Sequence, residues 1–337
     1  MAVPVLSIGI TTFDRVAFLE ECLGSILSCR SLGIEILVGN DNPARTLRDL
    51  KIVGLDDPRV HCFDHAVNMG EISNMNFLLD QAQGKYFTWI ADDDVYFPDF
   101  FRALQQLIQD HPDQEVFLTN YAQGGVFAVK DVLWQDKVQI LPSYGFLEAY
   151  LSRRLKTIGC YGVFKTDFLK RLGGMRRLGS GFSPYSDYLL TIGIAQSRQV
   201  IYVDAPLVFF RTHQGSLSYG SEDILAYITA QKDVLRLADE ILSTDALKPK
   251  RSLYVHLLWK WFISDFMAVY FRTKAVRLSA VRTWLRLLGA HFKVMSVGHC
   301  SRVVLYCGYY FMTTLSGVCR HYLKRFLVGC HIMAEKG

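Results

Sequence analysis

Three adjacent aspartates, Asp92, Asp93 and Asp94, follow the strand-like run KYFTWI at residues 85–90. If this strand belongs to a parallel sheet, its carboxyl end opens into the crevice where such sheets bind ligands. Crowded carboxylates are costly there unless a divalent cation, Mg²⁺ or Mn²⁺, neutralises them. Because Mg²⁺ combines few protein carboxylates with phosphate oxygens, a diphosphate-bearing ligand suits the site. The alternative is a solvated acidic turn that caps the helix starting near Asp99.

Polar side chains also end the two preceding strands. The first strand runs into TTFDR, with Thr11, Thr12 and Arg15, and the second into GNDNPA, with Asn40 and Asp41. A carboxylate can accept hydrogen bonds from a nucleobase or ribose, and a guanidinium can bind phosphate. Each residue alone is also typical of a turn or a helix N-cap. Together they indicate one ligand site where neighbouring strands finish.

The elements that must position these residues alternate along the chain. Strands are predicted at 5–10, 35–39, 60–63, 85–90 and 115–119, with helices at 16–28, at 71–83 and from about residue 99. This alternation predicts an α/β fold with a doubly wound, mostly parallel sheet. Beyond an irregular stretch at 120–150, with an insertion or hairpin at 133–142, we expect a strand at 159–164, helices at 165–174 and 185–197, and two strands within 199–213.

Composition and charge divide the chain. Half of its 337 residues are apolar, which suffices for one or two domains with a substantial core and excludes a disordered tail. Residues 250–337 carry fourteen Lys or Arg against two acids, a local charge of +12 within a total of +5. The remainder of the chain therefore carries about −7 by difference.

The basic C-terminal region is predicted to be helical and to bind a polyanion. Residues 279–294 form a basic amphipathic helix, and residues 303–319 carry no charge, which favours an interfacial or re-entrant segment over a full span. The Trp and Tyr residues here favour an anionic membrane surface over nucleic acid. Alternatively, part of this region packs on the rest of the protein, especially residues 222–245.

The cysteines and the N-terminus bear on the cellular compartment. Eight cysteines include no C-x-x-C pair and no zinc-type spacing, so buried free thiols are predicted. The first residues, MAVPVLSIGITTFDR, lack the features of a secretory signal. We therefore expect folding in a reducing cytoplasm, without structural disulfides.

Six segments, in this order, resemble glycosyltransferase family 2, the inverting nucleotide-sugar transferases of the GT-A fold. The resemblance covers about residues 3–220 and is carried by SIGITTFDR, EILVGNDNPA, NMGEISNMNFLLDQAQGKYFTWIADDDVYFPDF, GCYGVFKTDFLKRLGGM, YSDYLLTIGIA and FFRTHQGSLS. The resemblance implies a nucleoside-diphosphate sugar as donor and a divalent metal as cofactor.

The resemblance also implies roles for individual residues. Donor binding falls to Thr11, Arg15, Asp41, Asn68 and Asp92. The metal ligands would be Asp92, Asp93, Asp94 and His213, with Arg211 nearby. Asp94 would be the main ligand. Because three identical residues follow one another, the family motif can also be aligned so that Asp93 takes the role of its neighbour. Asp187 is the general base. From the residues alone, Asp187 is a first-turn acid favoured by the helix dipole, and His213 is a hydrogen-bonded loop histidine.

The prediction is a GT-A glycosyltransferase domain at 1–220 and a basic, aromatic-rich, helical membrane-associating region at 221–337. The enzyme would be hexosyltransferase-like, metal-dependent and inverting, with a lipid-linked or polysaccharide glycan as acceptor in surface polysaccharide synthesis. It would lie in the cytoplasm, peripherally bound to the inner face of the cell membrane. The alternatives are a sugar nucleotidyltransferase, which would need a glycine-rich phosphate loop where TTFDR has none, and a non-catalytic polyanion- or membrane-binding protein.

Overall fold

The computed structural model describes residues 3–30, 32–179, 183–213 and 224–273, with short stretches at 285–286, 288–289, 299 and 301–304. The chain divides into two compact units, Met1–Lys248 and Pro249–Gly337. The whole sheet belongs to the first unit. The predicted boundary between residues 220 and 221 differs from this division and stays a prediction.

Within the described ranges, nine strands form one sheet, and its first half is parallel. This half contains β1 (Leu6–Thr12), β2 (Ile34–Asn40), β3 (Val60–Asp64) and β4 (Tyr86–Ala91), in the spatial order β3-β2-β1-β4. Helix α1 (Val16–Leu27) connects β1 with β2, and helix α2 (Glu71–Gln81) connects β3 with β4. β1 and β2 are buried almost throughout, as expected for strands that are covered on both faces.

Helices cover both faces of this half of the sheet. Ile8 of β1 belongs to the same core cluster as Leu23 and Ile26 of α1. The next residue, Gly9, faces the other way, because a Cβ atom there would lie 3.3 Å from Cβ of Leu78 in α2. Side chains alternate along a strand, so α1 and α2 lie on opposite faces. The doubly wound arrangement predicted from the sequence is confirmed.

The second half of the sheet mixes directions. It contains β5 (Val95–Tyr96), β6 (Val116–Gly124), β7 (Val138–Pro142), β8 (Val163–Lys165) and β9 (Gln199–Arg211). Its helices are α3 (Asp99–Asp110), α4 (Ser143–Leu151), α5 (Thr166–Leu172) and α6 (Ser186–Gly193). β6 and β9 run in the direction of β1 to β4, whereas the short strands β5, β7 and β8 are antiparallel to their neighbours. Six of nine strands thus share one direction, which confirms a mostly parallel sheet.

Three local predictions differ from the structure. β9 is one continuous strand where a pair was expected, and register shifts in β6 at residues 119–121 absorb the irregularity opposite Pro206. Residues 133–142 form no hairpin of their own: a 3₁₀ turn, Gln135–Lys137, leads into β7, which pairs with β9. The predicted strand at 159–164 begins instead with a 3₁₀ turn, Gly159–Tyr161, before β8.

Two long helices follow the sheet in the chain, α7 (Ile224–Leu242) and α8 (Arg251–Thr273). α7 packs near α6 in the first unit, and Asp233 Oδ2 accepts a 2.9 Å hydrogen bond from the Gly179 amide. Part of 222–245 therefore packs on the body of the protein, as one sequence alternative expected. Among the described residues, no helix is long and apolar enough to cross a membrane. The predicted segments at 279–294 and 303–319 lie, except for a few residues, outside the described ranges.

The described cysteines are free thiols. Cys22 and Cys29 are buried, as predicted, and Cys160 is half-buried. Cys62 is exposed on the edge strand β3, so the prediction of buried thiols is wrong for that residue. The remaining four cysteines lie outside the described residues.

Candidate active site

The shared strand direction brings the predicted site together at one edge of the sheet. β1, β2, β4 and β9 all end there, at Thr12, Asn40, Ala91 and Arg211. Asp92, Asp93 and Asp94 follow β4 directly, and none of them is more than 7% exposed. The triplet is therefore a buried feature of the crevice, and the alternative of a solvated acidic turn is wrong.

The loop after β1 holds the first two aspartates. Thr12 Oγ1 donates a 2.6 Å hydrogen bond to Asp92 Oδ2. Arg15 Nη1 lies 3.1 Å from Asp92 Oδ1 and 3.0 Å from Asp93 Oδ2, so one guanidinium bridges both carboxylates. His213 Nε2 lies 2.8 Å from the same Asp93 oxygen. Asp93 Oδ1, in contrast, accepts no hydrogen bond from the part of the chain that the structure describes.

The third aspartate is held by two distant segments. The Tyr161 hydroxyl donates to Asp94 Oδ2, and the Arg211 amide donates to Asp94 Oδ1 at 2.7 Å. The Arg211 side chain donates from Nε to the Asp93 carbonyl at 2.7 Å, pairs with Glu21, and lies 4.9 Å from the centre of the Phe18 ring. Both oxygens of Asp94 are therefore engaged within the protein.

Burial leaves negative charge in this cluster poorly compensated. Burial is the main cause that raises the pKa of Asp92 to about 6 and that of Asp94 to about 7, and the charge of Asp93 adds to both shifts. Hydrogen bonds from Thr12 and Tyr161 oppose the shifts but do not cancel them. A group of carboxylates in this state has a net affinity for a cation.

Asp41 anchors a second loop at the same edge. Its two carboxylate oxygens accept hydrogen bonds from the Met69 and Gly70 amides, at 2.7 and 2.8 Å. Asn68 Oδ1 also accepts from the Gly70 amide, at 2.9 Å, and Gly70 has φ of 80°, a conformation that favours glycine. The N-M-G sequence is thus a turn that places backbone amides on Asp41.

Asp187 lies in the first turn of α6, which packs closely on the 3₁₀ turn before β8. A Cβ atom on Gly159 would clash with Thr191 Oγ1 and lie 2.8 Å from the Asp187 carbonyl oxygen. Gly159 is therefore required for this close approach. Burial raises the pKa of Asp187 to about 6, against backbone hydrogen bonds that lower it.

The residue that precedes α6, Tyr185, has a strained backbone conformation. Tyr185 has φ of 73° although it is not glycine, and this conformation carries a cost that packing must offset. Gln231 of α7 donates a 3.1 Å hydrogen bond to the Tyr185 hydroxyl, and Tyr227 of α7 packs edge-on against its ring. α7 therefore supports the turn that positions Asp187.

Cys160 connects Asp187 with the aspartate cluster. Burial raises the pKa of its thiol, and the charges of Asp187, Glu71 and Asp94 raise it further. One half-buried side chain thus lies within electrostatic range of both Asp187 and Asp94. The two groups that the sequence assigns to opposite roles therefore lie in the same region of the first unit.

The side chains of this cluster have the chemistry of a divalent-metal site. Carboxylate oxygens and one imidazole nitrogen suit Mg²⁺ or Mn²⁺, and the raised pKa values of Asp92 and Asp94 fit a cation. No group of three or more His, Cys, Asp or Glu side chains among the described residues forms a ready-made metal site. The residues therefore fit a cation whose shell other ligands, such as phosphate oxygens, must complete.

The structure brings some of the predicted site residues into contact, leaves Thr11 out and adds Tyr161. Arg15, Asp92, Asp93, Asp94 and His213 contact one another. Thr11 makes no side-chain hydrogen bond to described residues, whereas its neighbour Thr12 contacts Asp92. Tyr161 was missed as a site residue. Its contact spans 67 positions in the chain, so no local pattern could reveal it.

Part of the chain matches a known protein family. Residues 7–168 match the model of the family described as glycosyl transferase family 2. The GalNAc(5)-diNAcBac-PP-undecaprenol beta-1,3-glucosyltransferase of Campylobacter jejuni is 31% identical over 105 residues, which cover 31% of this chain and 34% of that protein. An uncharacterized glycosyltransferase of Rickettsia prowazekii is 30% identical over 95 residues, which cover 28% of this chain and 29% of that protein. The chain thus spans about a third of the length of these relatives.

The solved structures of S. aureus TarS residues 1–349 are similar in fold. The complex with UDP-GlcNAc superposes with a TM-score of 0.62 at 16% identity, covering 88% of this chain and 82% of that chain. This structural similarity covers more of the chain than the family match does. At 16% identity it shows a shared fold and nothing more. The chain therefore carries a glycosyltransferase domain of family 2 with the GT-A fold.

Proposed function

We propose that the protein is a metal-dependent, inverting glycosyltransferase that moves a sugar from a nucleoside-diphosphate sugar to an acceptor hydroxyl. The observation that carries this proposal is that the buried Asp92–Asp94 cluster and Asp187 both lie within electrostatic range of the same two side chains, Cys160 and Glu71. A displacement at an anomeric carbon needs charge stabilisation on the leaving side and a base on the attacking side. The family 2 domain supports the same reaction class.

The donor would lie along the ends of β1, β2 and β4. Asp41 has lone pairs beyond those used by the Met69 and Gly70 amides, and these could accept from a nucleobase. Arg15 and His213 are placed to meet the diphosphate. A UDP-sugar is the first donor to consider, because TarS was solved with UDP-GlcNAc in a similar fold.

Asp93 and Asp94, with His213, would hold a divalent cation against the diphosphate. When bound, such a cation stabilises the negative charge that develops on the leaving nucleoside diphosphate. The open Oδ1 of Asp93 offers a ligand position without loss of a hydrogen bond to the described residues. Asp92 remains tied to Thr12 and Arg15 and would orient the ribose side of the donor.

Asp187 would take the proton of the acceptor hydroxyl. As that proton moves to the carboxylate, the hydroxyl oxygen forms a bond to the anomeric carbon, and the bond to the diphosphate oxygen breaks on the opposite face. A pKa of about 6 suits a base that must be ionised at neutral pH yet accept a proton during the reaction. One displacement from the opposite face inverts the anomeric configuration.

A lipid-linked glycan is the acceptor that we propose. The Campylobacter jejuni relative is named for an undecaprenol-linked glycan, although it matches only 31% of this chain. The +12 charge of residues 250–337 would favour the anionic, cytoplasmic face of the cell membrane. This combination supports a peripheral enzyme of surface polysaccharide synthesis.

A panel of nucleotide sugars tests the proposal. Melting temperature and product formation are measured for UDP-, GDP-, ADP- and dTDP-sugars, each with Mn²⁺ and with EDTA. A true donor should raise the melting temperature only when Mn²⁺ is present, because the cation and the diphosphate complete each other's site. Formation of a nucleotidyl-sugar from a nucleoside triphosphate would instead support a nucleotidyltransferase. No stabilisation by any donor would favour the non-catalytic alternative.

A further inference from the structure

A set of polar side chains on α8, in the second compact unit, faces another set near residue 300. Ser252, His256 and Lys260 are spaced four residues apart, so they share one face of the helix. The His299 ring stacks on His256, with centroids 5.0 Å apart and planes at 18°, and its Nδ1 lies 2.8 Å from Ser252 Oγ. Arg302 lies one helical turn beyond His299. These residues define the His256 site.

His256 has an unmet hydrogen-bonding capacity. The residue is only 6% exposed, and its Nδ1 atom has no hydrogen-bond partner among the described residues. Buried polar atoms nearly always have a partner, and the exceptions require an explanation, such as an absent ion or ligand. The Nδ1 atom of His256 is therefore a candidate contact for a ligand from outside the described residues.

The charges around this atom are positive. Burial is the main cause that lowers the pKa of His256 to about 4, and His299, Lys260 and Arg302 contribute to the same shift. No described carboxylate lies within ion-pair distance of Arg302. At neutral pH the ring is therefore an uncharged donor beside cationic groups, which is an arrangement that would bind an anion.

A metal fits this site less well. Ser252 already engages Nδ1 of His299, and the two imidazole rings stack nearly parallel instead of converging on a point. Of the described residues at this site, only His256 and His299 are of the usual metal-binding types, which is too few for a metal site. The chemistry that remains is a compact anion with several acceptor oxygens.

We infer that the His256 site binds a phosphate group, as a phosphomonoester or a diphosphate. His256 Nδ1–H would donate to one phosphate oxygen, and Lys260 and Arg302 would supply positive charge. The phosphate could belong to a lipid headgroup or to a molecule in solution. None of its residues takes part in the proposed transfer reaction, so a negative result here would leave the proposed function unaffected.

Titration calorimetry with inorganic pyrophosphate tests the site in the full chain. EDTA is present throughout, so that no divalent cation can recruit pyrophosphate to the Asp92–Asp94 cluster. The variants are His256→Gln and Arg302→Gln; Arg302 is exposed, so its variant tests the site even if His256→Gln does not fold. Each lost charge-assisted hydrogen bond should weaken binding about tenfold or more. Arg30→Gln, which removes the same charge from an exposed arginine of the first unit, should bind like the unaltered protein.

Co-sedimentation with vesicles distinguishes the two sources of phosphate. Phosphatidylcholine vesicles with and without phosphatidic acid are compared for the same proteins. If the ligand is a lipid headgroup, phosphatidic acid increases binding, Arg302→Gln lowers that increase by more than the control variant does, and pyrophosphate competes for the difference. If the ligand is soluble, pyrophosphate binds while Arg302→Gln leaves vesicle binding unchanged. Equal behaviour of the unaltered protein and both variants in the two assays would overturn the inference.

Discussion

Asp187→Asn should abolish transfer and stabilise the folded protein at the same time. The asparagine is nearly isosteric and can keep the backbone hydrogen bonds that the carboxylate accepts from residues 187 and 188. It cannot accept the proton of an acceptor hydroxyl, so we expect the transfer rate to fall by about 10²- to 10⁴-fold. Binding of the donor should survive, because Asp187 lies on a separate segment from the residues that contact Asp92–Asp94.

The magnitude of the stabilisation follows from the pKa of Asp187. Folding raises this pKa from an ordinary value of 3.8 to about 6, a difference of about two units. A pKa difference of this size corresponds to at most about 3 kcal/mol in the free energy of unfolding. Because the residue is only half-buried and the dipole of α6 favours a charge in its first turn, we expect about 1–2 kcal/mol.

The sign and the pH window of this effect are fixed by linkage. A carboxyl group with a raised pKa destabilises the folded state when it is ionised, and this penalty is complete above pH 6 and absent below pH 3.8. Asp187→Asn should therefore stabilise the protein fully at pH 7.5 and about half as much at pH 5. In the unaltered enzyme saturated with donor and Mn²⁺, where the cation would keep Asp92 and Asp94 ionised, kcat should be level above about pH 6 and fall about tenfold for each pH unit below it.

Urea unfolding at both pH values and transfer assays across the pH range measure these effects. Asp167→Asn is the matched control, because Asp167 is also a first-turn acid but is exposed at the start of α5. That variant should lose about 0.3–1 kcal/mol of stability and keep its activity. An inactive Asp187→Asn that is no more stable at pH 7.5 than the unaltered protein would refute the buried-carboxylate reasoning. Unchanged transfer would remove Asp187 as the base.

Three further substitutions test the rest of the site. In Asp41→Asn, an NH₂ group replaces one of the two oxygens that accept backbone amide hydrogen bonds, so the free energy of unfolding should fall by about 1–2 kcal/mol. The KM for the sugar donor should rise about tenfold. An unchanged KM would contradict nucleotide binding at Asp41. Asp93→Asn should raise the half-saturating Mn²⁺ concentration about tenfold with little change in melting temperature, and an unchanged metal dependence would exclude Asp93 as a ligand. Gly159→Ala should lower the free energy of unfolding by about 1–3 kcal/mol and lower kcat, because the added methyl group would displace α6. The control is Gly24→Ala, at a helix position with open space around it, which should leave stability unchanged or increase it.

The sequence predicts the first half of the fold closely because its signals are local. The predicted strand at 85–90 and the observed Tyr86–Ala91 differ by one residue at each end, and the predicted helix at 71–83 overlaps Glu71–Gln81. Runs of buried apolar residues bounded by turn residues identify such strands without knowledge of their partners. The position of Asp92–Asp94 at a carboxyl end followed from this alternation alone.

The second half was predicted less well because long-range pairing defines its elements. β5 has only two residues, and its pairing with β9 joins Val95 to Phe209. β9 continues through Pro206, where the local sequence suggests a break, because β6, β7 and β5 pair with successive parts of it. No short window of sequence contains those partners.

The register of the aspartate run is the clearest case of information that the sequence lacks. Three identical residues in a row offer no chemical difference, and the family resemblance assigns the main metal ligand to Asp94. The structure makes them unequal: Asp92 is held by the β1 loop, and both oxygens of Asp94 are engaged by Tyr161 and Arg211. Asp93 alone keeps an oxygen without a hydrogen bond from the described residues. A cation that entered this site would meet Asp93 first and would have to displace fewer protein donors there than at either neighbour.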